Sequence, residues 1–136
     1  MEKIEIKNQK SILDVSEAYL SDSRFTQACL ERLYFEDVTL AGSKITNANL
    51  SDLEIEGAQL GGAFIHNIGM PPKGHPMYDP VAKQRPLKFE NCDLSGSVIQ
   101  DCNLSGVELR QCTLSGMSID GILIEDLIAI FKKNNV

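Results

Sequence analysis

CDLSGSVIQDCNLSGVELRQCTLSG, residues 92–116, repeats its own pattern every ten residues and nearly repeats it every five. Leu94, Ile99, Leu104, Leu109 and Leu114 fall five apart. That period matches neither an α-helix, at about 3.6 residues per turn, nor a long strand, at about 2. It does match a short extended piece that turns residues i−2 and i to one side and then rounds a corner. Glycine two residues after the central position, at Gly96, Gly106 and Gly116, supplies the positive φ that such a corner takes.

The same period runs back toward the N-terminus. Val15, Leu20, Phe25, Leu30, Phe35, Leu40, Ile45, Leu50, Ile55, Leu60, Ile65 and Met70 form one series. After a break it resumes at Phe89 and continues to Ile124. Four pieces carry the pattern most fully: Ala48-Asn49-Leu50-Ser51-Asp52, Cys92-Asp93-Leu94-Ser95-Gly96, Cys102-Asn103-Leu104-Ser105-Gly106 and Cys112-Thr113-Leu114-Ser115-Gly116. They resemble the pentapeptide-repeat family, whose unit is roughly a small residue, Asp or Asn, Leu or Phe, a polar residue and Gly. The resemblance covers most of residues 13–126. It implies an all-β fold, a right-handed parallel β-helix of quadrilateral section with four pentapeptides per coil.

Four units per coil would stack residues that lie 20 apart, and stacked residues should share character. With the second block shifted by 14, they do. One column reads Leu20, Leu40, Leu60, Leu94, Leu114, and the next reads Phe25, Ile45, Ile65, Ile99, Ile119. A third holds Leu30, Leu50, Met70, Leu104, Ile124, and the fourth Val15, Phe35, Ile55, Phe89, Leu109. About five coils are therefore expected, over 13–32, 33–52, 53–72, 87–106 and 107–126. All of residues 1–136 form one domain on this reading.

The break is the segment GMPPKGHPMYDPVAKQRP, residues 69–86, which holds all five prolines of the chain. The register places an insertion of 14 residues at one corner, in the loop 71–86. Proline cannot donate to a ladder between coils, so its confinement to the loop is physically expected. Prolines also stiffen a loop into a shaped protrusion.

Both ends of a β-helix expose a free edge. Ile4 and Ile6, alternating with charges, suggest a capping strand at the start. At the finish, residues 124–133 read as an amphipathic helix with acids first and lysines last, as the helix dipole favours. Its apolar positions Leu127, Ile130 and Phe131 fit either a cap or a homodimer contact.

Cys92, Cys102 and Cys112 occupy inward i−2 positions and read as small apolar core residues, whereas Cys29 at i−1 should face out. The four cysteines include no CxxC pair, so neither a zinc site nor a disulfide framework is expected. The segment MEKIEIKNQK is unlike a secretory signal, and no apolar run is long enough for a membrane span, so a cytoplasmic protein is expected.

The net charge of −6 argues against direct nucleic-acid binding. Acidic residues gather on the face of the Phe35 and Ile55 column, notably Glu17, Glu36, Asp37, Glu54 and Glu56. The loop is the reverse, with Lys73, Lys83 and Arg85 against Asp79. Loops held by rigid frames commonly carry function. The expected function is thus a non-enzymatic protein-interaction scaffold, its partner touching the acidic wall and Lys73, His75, Met77, Tyr78, Lys83 and Arg85. A second reading is mimicry of DNA, since some relatives occupy DNA gyrase in that way. The bland alternative is a basic loop folded back on the acidic wall. An enzyme or ligand site at the loop base, drawn from His66, His75, Tyr78 and Asp79, is the weakest reading. The chain has no HExxH, GxSxG or phosphate-loop motif, and no cofactor or metal is expected.

Overall fold

The five-residue period appears directly in the backbone. A computed structural model of the chain describes residues 3–135, in two compact units, Met1–Gly62 and Ala63–Val136. In the first unit, left-handed φ falls at Glu17, Asp22, Gln27, Arg32, Asp37, Gly42, Asn47, Asp52, Gly57 and Gly62, every fifth residue from Glu17 on, with Asn8 left-handed ahead of the series. Two kinds of corner alternate. In one, the amides of Ser23, Leu33, Ser43 and Leu53 donate to the carbonyls of Leu20, Leu30, Leu40 and Leu50 at 3.0–3.3 Å. An i→i+3 bond with positive φ at the third residue is the signature of a type II turn. The corners at Glu17, Gln27, Asp37 and Asn47 are left-handed without such a bond among the described residues.

The second unit repeats this alternation. Asn91, Asp101 and Gln111 occupy the open corners, while Gly96, Gly106 and Gly116 occupy the turns at 94–97, 104–107 and 114–117. Left-handed Asn67 and Asn91 are 24 residues apart, two periods plus the 14 inserted. The corner slot between them falls on Pro72 or Pro86. Proline fixes φ near −65° and cannot supply a left-handed residue. The insertion therefore sits at the one corner of the series that lacks one.

The Asp or Asn of the motif has a local task. Oδ1 of Asn49, Asp93 and Asn103 accepts the amide of the residue two ahead, Ser51, Ser95 and Ser105, at 3.0–3.1 Å. The Ser95 and Ser105 hydroxyls donate to the same oxygens at 2.6 and 2.7 Å. Such side-chain turns mimic a backbone turn and hold the chain as it enters the corner. The Ser95 hydroxyl, then the Ser95 amide, keep the Asp93 carboxyl below its ordinary range. The motif cysteines behave alike: the thiols of Cys92, Cys102 and Cys112 donate to the carbonyls of Glu90, Gln100 and Arg110 at 3.2–3.3 Å.

The corners are formed, and the coils are not stacked. No described residue is buried, and Leu20 and Leu40, in one column of the first unit, remain 53% and 52% exposed. The inward placement expected of Cys92, Cys102 and Cys112 is likewise absent here, since all four cysteines are exposed free thiols. A single rung has no apolar partner of its own; only a second coil laid on it can supply one. At the start, Ile4 and Ile6 form no strand, and Glu5 instead pairs with Lys7 at 2.9 Å and Lys3 at 3.4 Å.

The C-terminal end carries a hairpin within residues 107–126, the span expected of the fifth coil. From Ser118 the chain leaves the repeat for an antiparallel hairpin, β1 (Ser118–Ile119) and β2 (Ile122–Leu123). Asp120 and Gly121 join the strands with φ of 48° and 80°, the two positive values of a type I′ turn. The Ile124 amide donates to the Met117 carbonyl at 2.9 Å and closes the hairpin. Helix α1 (Ile124–Asn134) follows at once, close to its expected limits. Glu125 and Asp126 lie in its first turn and Lys132 and Lys133 in its last, and Asn135 Nδ2 donates to the Phe131 carbonyl at 2.8 Å.

Candidate docking loop

The inserted loop is built from consecutive turns pivoting on one histidine. The His75 amide donates to the Pro72 carbonyl at 3.0 Å, with Gly74 at φ 95°. Glycine at the third position of such a turn adopts this φ without side-chain strain. The His75 carbonyl then accepts the Tyr78 amide at 2.9 Å. Its ring closes the second turn, with Nδ1 accepting the Met77 amide at 3.1 Å. Asp79 continues the scheme, its Oδ1 accepting the Val81 amide at 3.0 Å, and the Gln84 amide side chain reaches the Arg85 carbonyl at 3.2 Å. Pro71 and Ala82, near the two ends of the loop, are half-buried where their neighbours are exposed.

Of the candidate contact residues, the loop brings His75, Met77 and Tyr78 into one turn, with Met77 75% exposed. Lys73 lies in the turn before it, and Lys83 and Arg85 follow on the return arm. Lys73 and Lys83 form no ion pair among the described residues. Beyond the loop, Lys88 pairs with Glu90; that hydrogen bond first, and the charge of Lys88 second, keep the Glu90 carboxyl below its ordinary range. Arg110 pairs with Glu108 in the same i, i+2 manner.

The acidic candidates lie in the first unit, all exposed. Glu17 and Asp37, 20 residues apart, both occupy left-handed corners. Glu36 directly precedes the second of these corners, while Glu54 and Glu56 flank Ile55. None of the five forms an ion pair among the described residues.

Of the residues named for a ligand site at the loop base, His66, His75 and Asp79 have side chains in local contacts. His66 stacks on Phe64, with ring centroids 4.2 Å apart and planes 15° apart, and its Nδ1 lies 3.0 Å from Asn67 Nδ2. Among the described residues, no three His, Cys, Asp or Glu side chains converge as a metal ion would need. No described helix is long and apolar enough to cross a membrane. Sequence reasoning missed the pivot role of His75, although Gly74 and the prolines around it signalled turns.

The repeat is also recognised by comparison. The family described as "Pentapeptide repeats" matches residues 18–52 and 87–116, in 8 copies. These two blocks are pentapeptide repeats. The match stops at 52 and resumes at 87, so the inserted loop and the five-residue series at 53–70 lie outside it. Pentapeptide repeats are units of a β-helix solenoid, a fold that generally serves as a protein-interaction scaffold. No curated protein and no solved structure matches the chain.

Proposed function

We propose that the repeats close into a right-handed, four-sided β-helix of about five coils, and that this frame presents the inserted loop and an acidic wall to a protein partner. The carrying observation is the internal order of the loop. Its turns at 72–75 and 75–78 and the His75 and Asp79 side-chain closures hold a fixed shape within an insertion that leaves the repeat register untouched. A segment needed only to span a corner has no use for such construction. Closure would lay Glu17 on Asp37 and bring Glu36, Glu54 and Glu56 onto one wall, at a coil spacing of about 4.8 Å. No catalytic chemistry is assigned. Helix α1 covers the last coil with Leu127, Ile130 and Phe131, or pairs with a second copy through the same residues.

The test compares the full chain with one lacking residues 73–86 as baits in cytosol from the source cell. A partner held by the full chain and lost by the shortened one is the expected result. Its release on moving from low to moderate salt would mark charge as the main attraction. A DNA-binding protein as that partner would favour the DNA-mimic reading of the acidic wall. Identical partner sets from both baits would overturn the loop's role in docking.

A further inference from the structure

We infer that His75 is a protonation switch, holding the second turn of the inserted loop closed only while its ring is neutral. The Met77 amide donates to His75 Nδ1 at 3.1 Å. An imidazole nitrogen accepts a hydrogen bond only when it carries no proton, so this contact fixes the neutral ring with its hydrogen on Nε2.

The same reach of two residues closes turns at Asn49, Asp79, Asp93 and Asn103, always with a side-chain oxygen. At residue 75 alone among these does the acceptor belong to a group whose ordinary titration lies between about pH 5 and 8. One proton added at Nδ1 converts the acceptor to a donor and sets it against the Met77 N–H. That contact is lost. The two backbone bonds of His75, from its amide to Pro72 and from Tyr78 to its carbonyl, do not involve the ring and stay available. The loop then keeps its course while the exposed Met77 at its tip is released.

The other titratable or charged groups on this segment are Lys73, Tyr78, Asp79, Lys83 and Arg85, and none forms an ion pair with the ring. Asp79 is occupied with the Val81 amide. The inference holds whether or not the loop docks a partner, because its readout is the Met77 amide itself.

The experiment follows the full ¹⁵N-labelled chain by NMR from about pH 8 to about pH 5. The ring nitrogens of His75 and the Met77 amide are read in the same samples. The Met77 amide proton should move upfield with the midpoint of the His75 ring, and its temperature coefficient should become that of a solvent-exposed amide. His75→Asn replaces the ring by the amide oxygen already used at Asn49 and Asn103. It should keep Met77 in the bonded state and abolish the pH dependence. His66, whose Nδ1 faces Asn67 instead, is the internal control. A Met77 amide that ignores the titration of His75, or a His75→Asn chain that responds to pH as the wild type does, would overturn the inference.

Discussion

Removing residues 73–86 together with Pro72→Gly is expected to leave a cooperatively folding protein, whereas removing residues 74–86 is expected to abolish folding. The two deletions differ by one residue. The first takes out the 14 inserted residues and brings Asn67 and Asn91 ten apart, two full periods. The glycine then supplies the left-handed corner that Pro72 cannot. The second deletion leaves one residue too many. One residue, unlike the 14 inserted, is too short to leave the coil and return, so every corner after it arrives late by one position. In an extended segment a shift of one sends each inward side chain outward. Leu94, Leu104 and Leu114 would then exchange places with polar neighbours, the most damaging change available without touching a repeat. Circular dichroism and thermal melting check this. The in-phase deletion should melt within a few degrees of the full chain, and the out-of-phase one should show no transition. Equal behaviour of the two would mean that the blocks flanking the loop do not share one register.

Leu50→Ala carries the second large effect. Leu50 ends an extended piece and provides the carbonyl of the turn at 50–53, while its neighbour Asn49 holds the Ser51 amide. In the closed β-helix its side chain would lie between Leu30 and Met70. Truncating a leucine packed in a core costs about 2–5 kcal/mol. Ser51→Ala, at the adjacent outward position, should cost less than about 0.5 kcal/mol, as surface changes usually do. Urea unfolding of the two variants reads the difference. A Leu50→Ala chain as stable as Ser51→Ala would place the leucine outside any core.

Much of the local winding was legible in the residues. Apolar side chains five apart, followed two later by Gly, Asn or Asp, announce a left-handed corner, and the corners stand where that pattern puts them. Glu17, Gln27, Arg32 and Gln111 are also left-handed, although a side chain at positive φ costs about 1–2 kcal/mol. Their own chemistry does not ask for it; the period of the chain around them does. Asp120 and Gly121 between isoleucines were equally readable as a hairpin turn. The five-residue series masked them, because Ile119 and Ile124 keep its spacing through the hairpin. The loop showed its position and its stiffness through its prolines. The work of His75 was hidden, because a ring nitrogen standing in for a turn oxygen leaves no mark in residue spacing.

The acidic residues Glu17, Glu36, Asp37, Glu54 and Glu56 lie in one unit, and the basic loop residues Lys73, Lys83 and Arg85 in the other. A partner that meets both must offer complementary charge to each, which favours selectivity and rapid encounter more than raw affinity. The His75 turn adds an exposed apolar residue, Met77, between the basic residues of the loop.

The closing of four repeats into each coil is the claim on which the scaffold rests. Backbone proton–proton NOEs on the full chain test it most directly. The account predicts contacts between residues twenty apart within a block, such as Leu94 with Leu114 and Leu20 with Leu40. Across the insertion it predicts contacts at the same spacing plus 14, as between Leu60 and Leu94. NOEs confined to single pentapeptides, or linking residues ten or fifteen apart instead, would contradict it.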